Sequence, residues 1–147
     1  MPHLTFEVDR AGRPVLDLFL TQSAAEIEAL EAVGHGGVQS LPVRALIDTG
    51  AGLTMIERSF VERLSLSPTG YVDVHTASTG QHPIHSPVYT IQLSIAGMAN
   101  GVIAADLPVV SADDLGGLEV QILLGRNLLD RCLFFLNGPE RRFTLAF

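Results

Sequence analysis

Ala45-Leu46-Ile47-Asp48-Thr49-Gly50-Ala51 is the most informative stretch of this 147-residue chain. An acid stands directly after a hydrophobic strand, read over 43–47, and is followed by Thr-Gly and small residues. That order places a carboxylate at a strand end, with no side chain in the way at Gly50 to keep a ligand from the backbone. Taken alone, the string also fits an ordinary turn, since turns after strands are rich in these residue types. A second stretch downstream shifts the balance: Ile122-Leu123-Leu124-Gly125-Arg126-Asn127-Leu128-Leu129, a hydrophobic run that breaks at glycine and leads into helix-forming residues.

Working outward, the pattern is one of short strands punctuated by turns. Residues 4–8 and 15–20 read as strands around a break at Gly12 and Pro14. Ser23-Ala24-Ala25-Glu26 has capping-box spacing, and Ile27 and Leu30 follow at helical intervals, which predicts a helix over 24–33. With its glycine-rich exit, 24–37 reads as a helical insertion rather than a domain. Residues 57–66 carry Phe60, Val61 and Leu64 on one side, the mark of a short amphipathic helix closed by Pro68 and Gly70. Segments 71–77 and 88–95 flank a polar connection; the second alternates Tyr89, Ile91, Leu93 and Ile95 with polar residues, so the pair reads as a long hairpin. Strands follow at 102–105 and 107–110. Another at 120–124 suits burial on both faces, before a short helix at 126–131. Residues 132–136 and 142–147 pair across Asn137-Gly138-Pro139-Glu140. The expectation is a single all-β domain over 1–147, with no internal repeat.

Composition narrows the function. Hydrophobic residues are 47% and charged residues only 17%, which excludes disorder as the dominant state and leaves apolar surface for a subunit contact. Nine Lys+Arg against sixteen Asp+Glu give a net charge of −7, an argument against nucleic-acid partners and an anionic membrane surface. The single cysteine, Cys132, excludes an intrachain disulfide and zinc sites built on paired cysteines. The opening MPHLTFEVDR lacks a basic and apolar leader, and no apolar run has the ~18 residues of a membrane span. A soluble, cytoplasmic protein is expected.

Acid-Thr-Gly loop, polar-tipped hairpin, then hydrophobic-hydrophobic-Gly and a short helix is an order that resembles the retropepsin-like (retroviral-type) aspartic proteases. The likeness runs from Leu41 to Phe147 and is carried by ALIDTGA and ILLGRNLLDR. It implies a closed all-β barrel with two or three short helices. It also implies a homodimer, because aspartic proteolysis takes two carboxylates and this chain has one Asp-Thr-Gly. Asp48 would be catalytic, with Thr49, Gly50 and Ala51 in the active loop: Thr49 cross-linking the two loops, Gly50 offering its carbonyl to substrate. Gly52, the flap residues Ala77, Ser78, Thr79 and Gly80, and Leu123 and Leu124 would contact a peptide or protein substrate. Gly125 and Arg126 would give structural support, with no metal or other cofactor. The chain departs from the viral pattern at Gly52 and Leu53, where viral enzymes carry acids; Arg126 matches an arginine that pairs with one of those acids, which leaves Asp130 or main-chain carbonyls as its partner here.

Other readings stand beside this one. A dimer that keeps the fold but has lost turnover would bind or scaffold peptides. His75, His82 and His85 invite a metal-site reading, although a polar hairpin seldom fixes ligands; they could instead make hairpin closure pH-dependent. Phe143, Leu145 and Phe147 form an apolar face, fit for the core or for a dimer seam.

Overall fold

The computed structural model describes residues 2–76 and 79–147. In chain order the elements are β1 (His3–Glu7), β2 (Val15–Gln22), α1 (Ala24–Ala32), β3 (Ser40–Ile47), β4 (Thr54–Glu57), α2 (Arg58–Arg63), β5 (Gly70–Val74), β6 (Ile84–Ile95), β7 (Val102–Ala112), β8 (Ile122–Leu124), α3 (Arg126–Leu129), β9 (Leu133–Asn137) and β10 (Arg142–Ala146). Six strands in the order β2-β3-β8-β4-β7-β6 close on themselves through a β6–β2 pairing, and β5 extends from β6. The result is a closed all-β barrel with three short helices.

Period-two alternation builds the barrel's interior. Leu16, Leu18 and Leu20 of β2, Ile91 and Leu93 of β6, and Ile122 and Leu124 of β8 are all at most 1% exposed. Each such side chain contributes about 1.5–3 kcal/mol by leaving water. Two parallel pairings, β3 with β8 and β4 with β7, bring the ends of β3, β8 and β4 together. That junction positions the Asp48 loop.

The helical insertion forms as its capping signal predicts, with a detour. Ser23 Oγ accepts the Glu26 N–H at 3.2 Å, while the Glu26 carboxylate accepts from the Ser67 N–H at 3.1 Å. None of α1's side chains is buried, so the insertion rides on the outside of the barrel.

The remaining strands form a separate three-stranded sheet, β1-β10-β9. Phe143 and Leu145 are fully buried, with Phe143 stacked on Phe6 at 5.3 Å and tilted against Phe134 at 6.2 Å. β1 thus pairs with β10 rather than with β2 across the Gly12–Pro14 break. The apolar face of β10 belongs to the core. β9, at the sheet's edge, instead exposes Leu133, Phe135 and Leu136.

One strand expectation is corrected, and one strand was not expected. Residues 102–105 and 107–110 are one strand, β7, because the irregularity is absorbed as register shifts near Leu93 and Ser94 of β6. β4 carries no sequence signal of its own: four residues that alternate buried and half-buried become a strand through neighbours on both sides. Among the described residues no helix is long and apolar enough to cross a membrane.

Candidate active site

Asp48 follows the last residue of β3, and its N–H donates to the Leu124 carbonyl at 3.0 Å, which anchors the loop to the end of β8. The chain then turns back on the acid. The Gly50 N–H donates to Asp48 Oδ1 at 3.0 Å, and the Ala51 N–H donates to the Asp48 carbonyl at 3.2 Å. A Cβ on Gly50 would stand 3.3 Å from Asp48 Oδ1, so the small residue lets the turn close around the carboxylate. Asp48 is half-buried, and among the described residues Oδ2 has no hydrogen-bond partner. The aim of one held and one free oxygen is what a group doing acid–base work needs.

The loop is clamped from the other side by α3. The Arg126 N–H donates to the Ala51 carbonyl at 2.8 Å and the Asn127 N–H to the Gly52 carbonyl at 3.2 Å. Asn127 Oδ1 accepts from both the N–H and the hydroxyl of Thr54, at 2.9 and 2.8 Å, while Thr54 Oγ1 accepts the Gly125 N–H at 3.1 Å. Asn127 Nδ2 donates to the Pro108 carbonyl at 2.8 Å, which ties in β7. Thr54 is fully buried, and these bonds satisfy its N–H and its hydroxyl in the low-dielectric interior. Gly125 is demanded by sterics: a Cβ there would lie 2.5 Å from the Leu53 carbonyl carbon.

A cleft of ≈ 510 Å³ opens beside Asp48, lined on the loop side by Gly50, Ala51, Gly52 and Leu53, with Met55 and Val110 behind and Val74, His75 and Thr76 from the β5 side. The β5–β6 hairpin thus carries its connection to the mouth of the cleft. Within that connection the Thr79 hydroxyl accepts the Thr76 N–H and donates to the Thr76 carbonyl, at 2.9 and 3.0 Å. Gly80 sits at φ 57°, a left-handed turn position that favours glycine. Ala77 and Ser78 lie outside the described residues.

The structure brings Asp48, Gly50, Ala51 and Gly52 together at one cleft. Thr49 is exposed, and its hydroxyl has no partner among the described residues. Leu123 is half-buried; Leu124 is fully buried and supports the loop from beneath through its carbonyl, so it does not border the cleft. Arg126 is exposed, and neither Asp130 nor a main-chain carbonyl holds its side chain among the described residues. His85 Nδ1 lies 2.9 Å from Asp73 Oδ1 with Tyr71 stacked on the ring, while His75 is in the cleft lining and His85 is not. Thr54 and Asn127 are the site's missed residues. Asn127 stood inside a motif already singled out, yet only the fold shows that it reaches Thr54.

Three comparisons bear on the arrangement. Residues 33–128 match a family model described as aspartyl protease. No curated protein matches the sequence. Among solved structures, the chain is similar to the crystal structure of a retropepsin-like aspartic protease from Rickettsia conorii, with a TM-score of 0.61 at 14% identity, covering 99% of this chain and 91% of that one. It is also similar to the simian foamy virus protease (TM-score 0.46, 14% identity, 80% and 92% covered) and to the EIAV protease complexed with the inhibitor HBY-793 (TM-score 0.46, 15% identity, 81% and 86% covered).

Proposed function

This chain belongs to the aspartyl protease family, and from that premise we propose that it is an endopeptidase whose active form is a homodimer, with Asp48 of each copy facing the other across a two-fold axis. The observation that carries the reading is Asp48 itself: half-buried at the edge of the cleft, one oxygen held by the Gly50 N–H and the other without a partner among the described residues.

Two carboxylates at hydrogen-bond distance cannot both ionise easily, so the pair holds one proton between them. The ionised member takes a proton from a water whose oxygen attacks the peptide carbonyl carbon; the protonated member hydrogen-bonds the carbonyl oxygen as it gains charge. Collapse of the tetrahedral species breaks the C–N bond as a proton passes from the dyad to the leaving nitrogen. One carboxylate is then left ionised and one protonated, as at the start. Thr49, exposed beside Asp48, cross-links the two loops. Gly50 offers its carbonyl to the substrate main chain, and the 75–83 connection of the β5–β6 hairpin, including Ala77, Ser78, Thr79 and Gly80, closes over an extended peptide as a flap. Ala51, Leu53, Met55 and Val110 make a wall that favours hydrophobic residues flanking the cleaved bond.

Asp48→Asn tests this reading on a panel of hydrophobic peptides assayed from pH 4 to 7. Cleavage by the parent chain that falls at least about a thousand-fold in the variant supports it. No cleavage by either form, with peptide still bound, replaces it with a peptide-binding dimer.

A further inference from the structure

Arg126 begins α3 immediately behind the Asp48 loop. Its guanidinium Nη2 lies 3.8 Å from the point where a Cβ on Gly52 would stand, and Gly52 lines the cleft. Among the described residues this guanidinium has neither an ion pair nor a hydrogen bond, whereas Arg13, Arg44 and Arg58 each meet a carboxylate. Arg126 therefore keeps its fork of donors uncommitted among the described residues. Among the described residues Asp48 is the only acid lining the cleft, and Gly52, which has no side chain to stand between, lies next to the guanidinium.

A forked guanidinium is matched by a carboxylate, which it meets with two parallel N–H···O bonds. An acidic side chain set next to the cleaved bond would be repelled by the Asp48 pair. One seated farther along the peptide, level with Gly52, would escape that repulsion and reach Arg126. We infer that Arg126 is a specificity-determining residue that reads an Asp or Glu side chain of the bound peptide at a position outside the two residues flanking the cleaved bond; the inference rests on the protease reading above. Because the guanidinium is exposed, the expected preference is modest, roughly three- to five-fold in kcat/KM and expressed in KM.

The test uses peptide pairs identical except for Glu or Gln, placed at each outer position in turn, with the parent chain, Arg126→Gln and Gly52→Asp. The Gly52→Asp side chain supplies a carboxylate to the guanidinium from within the chain, and the position has an ordinary backbone conformation with contact distance to spare. The same pairs with a reduced, uncleavable bond are titrated by fluorescence anisotropy. A Glu preference at one outer position that drops to about 1 in both variants, and that shrinks with added salt, supports the inference. Equal handling of Glu and Gln at every outer position by the parent chain overturns it while leaving proteolysis intact. Loss of self-association in Arg126→Gln, with the Glu/Gln ratio unchanged in Gly52→Asp, also overturns it and assigns the guanidinium to a second copy. Absence of cleavage, with a Glu preference in binding that both variants abolish, sinks the protease reading and leaves Arg126 reading an acidic side chain of a bound, uncleaved peptide.

Discussion

Gly125 and Thr54 carry the site at the scale of single residues. Gly125→Ala drives a Cβ into the backbone of Leu53 and Thr54, where the atoms cannot swing aside, so it costs about 3 kcal/mol and displaces the loop that holds Asp48. Urea unfolding followed by circular dichroism measures that loss as a lower midpoint. Thr54→Val keeps the shape but strips partners from Asn127 Oδ1 and the Gly125 N–H; the expected cost is about 1–3 kcal/mol, seen in the same assay. Asp9 behaves differently. The Arg13 N–H bound to its carboxylate at 2.8 Å holds its pKa below the ordinary 3.8, and the Arg13 side chain adds a second bond at 2.7 Å. A lowered carboxyl pKa stabilises the fold above pH 3.8, and that contribution is lost as pH falls through the folded value. Asp9→Asn should therefore lower the urea midpoint at pH 7 and narrow that difference at pH 2.

Elements show which parts of the fold local sequence could carry. The end of β3 and the β8–α3 junction were legible because their determinants are local: an acid at a strand end, a glycine where two segments touch. β4 was not, since Thr54 reads as a polar loop residue until Asn127 arrives from a distant segment to satisfy it. The closing sheet shows the same limit. Alternation marked Phe143 and Leu145 as one apolar face, but only the register with β1 and β9 shows that this face is core and that β9 is an edge strand with exposed apolar side chains. Phe135 is 58% exposed midway along β9, so antiparallel pairing centred on it sets the ring against its own copy. Under the homodimer proposal Phe135→Lys weakens self-association at least about ten-fold by sedimentation, while the unfolding midpoint of the monomer stays within about 0.5 kcal/mol of the parent.

At the scale of the whole molecule, the homodimer proposal makes the barrel the holder of one half of a catalytic centre. The Asp48 loop is tied to β8 and α3 by hydrogen bonds, and Asn127 of α3 is tied in turn to β4 and β7, so under that proposal the loop is held in place before a second copy meets it. Among the described residues Asp48 Oδ2 and the Thr49 hydroxyl have no partner, and these are the two groups that a symmetric partner would engage. Mixing experiments measure this dependence directly: the parent chain is combined with an equal amount of Asp48→Asn, allowed to exchange, and assayed with excess peptide. Shared carboxylates predict that half of the parent chains become trapped in mixed pairs and the cleavage rate falls by about half. A rate unchanged by the added variant, with exchange verified by a labelled copy, would mean that each chain cleaves with its own acid alone.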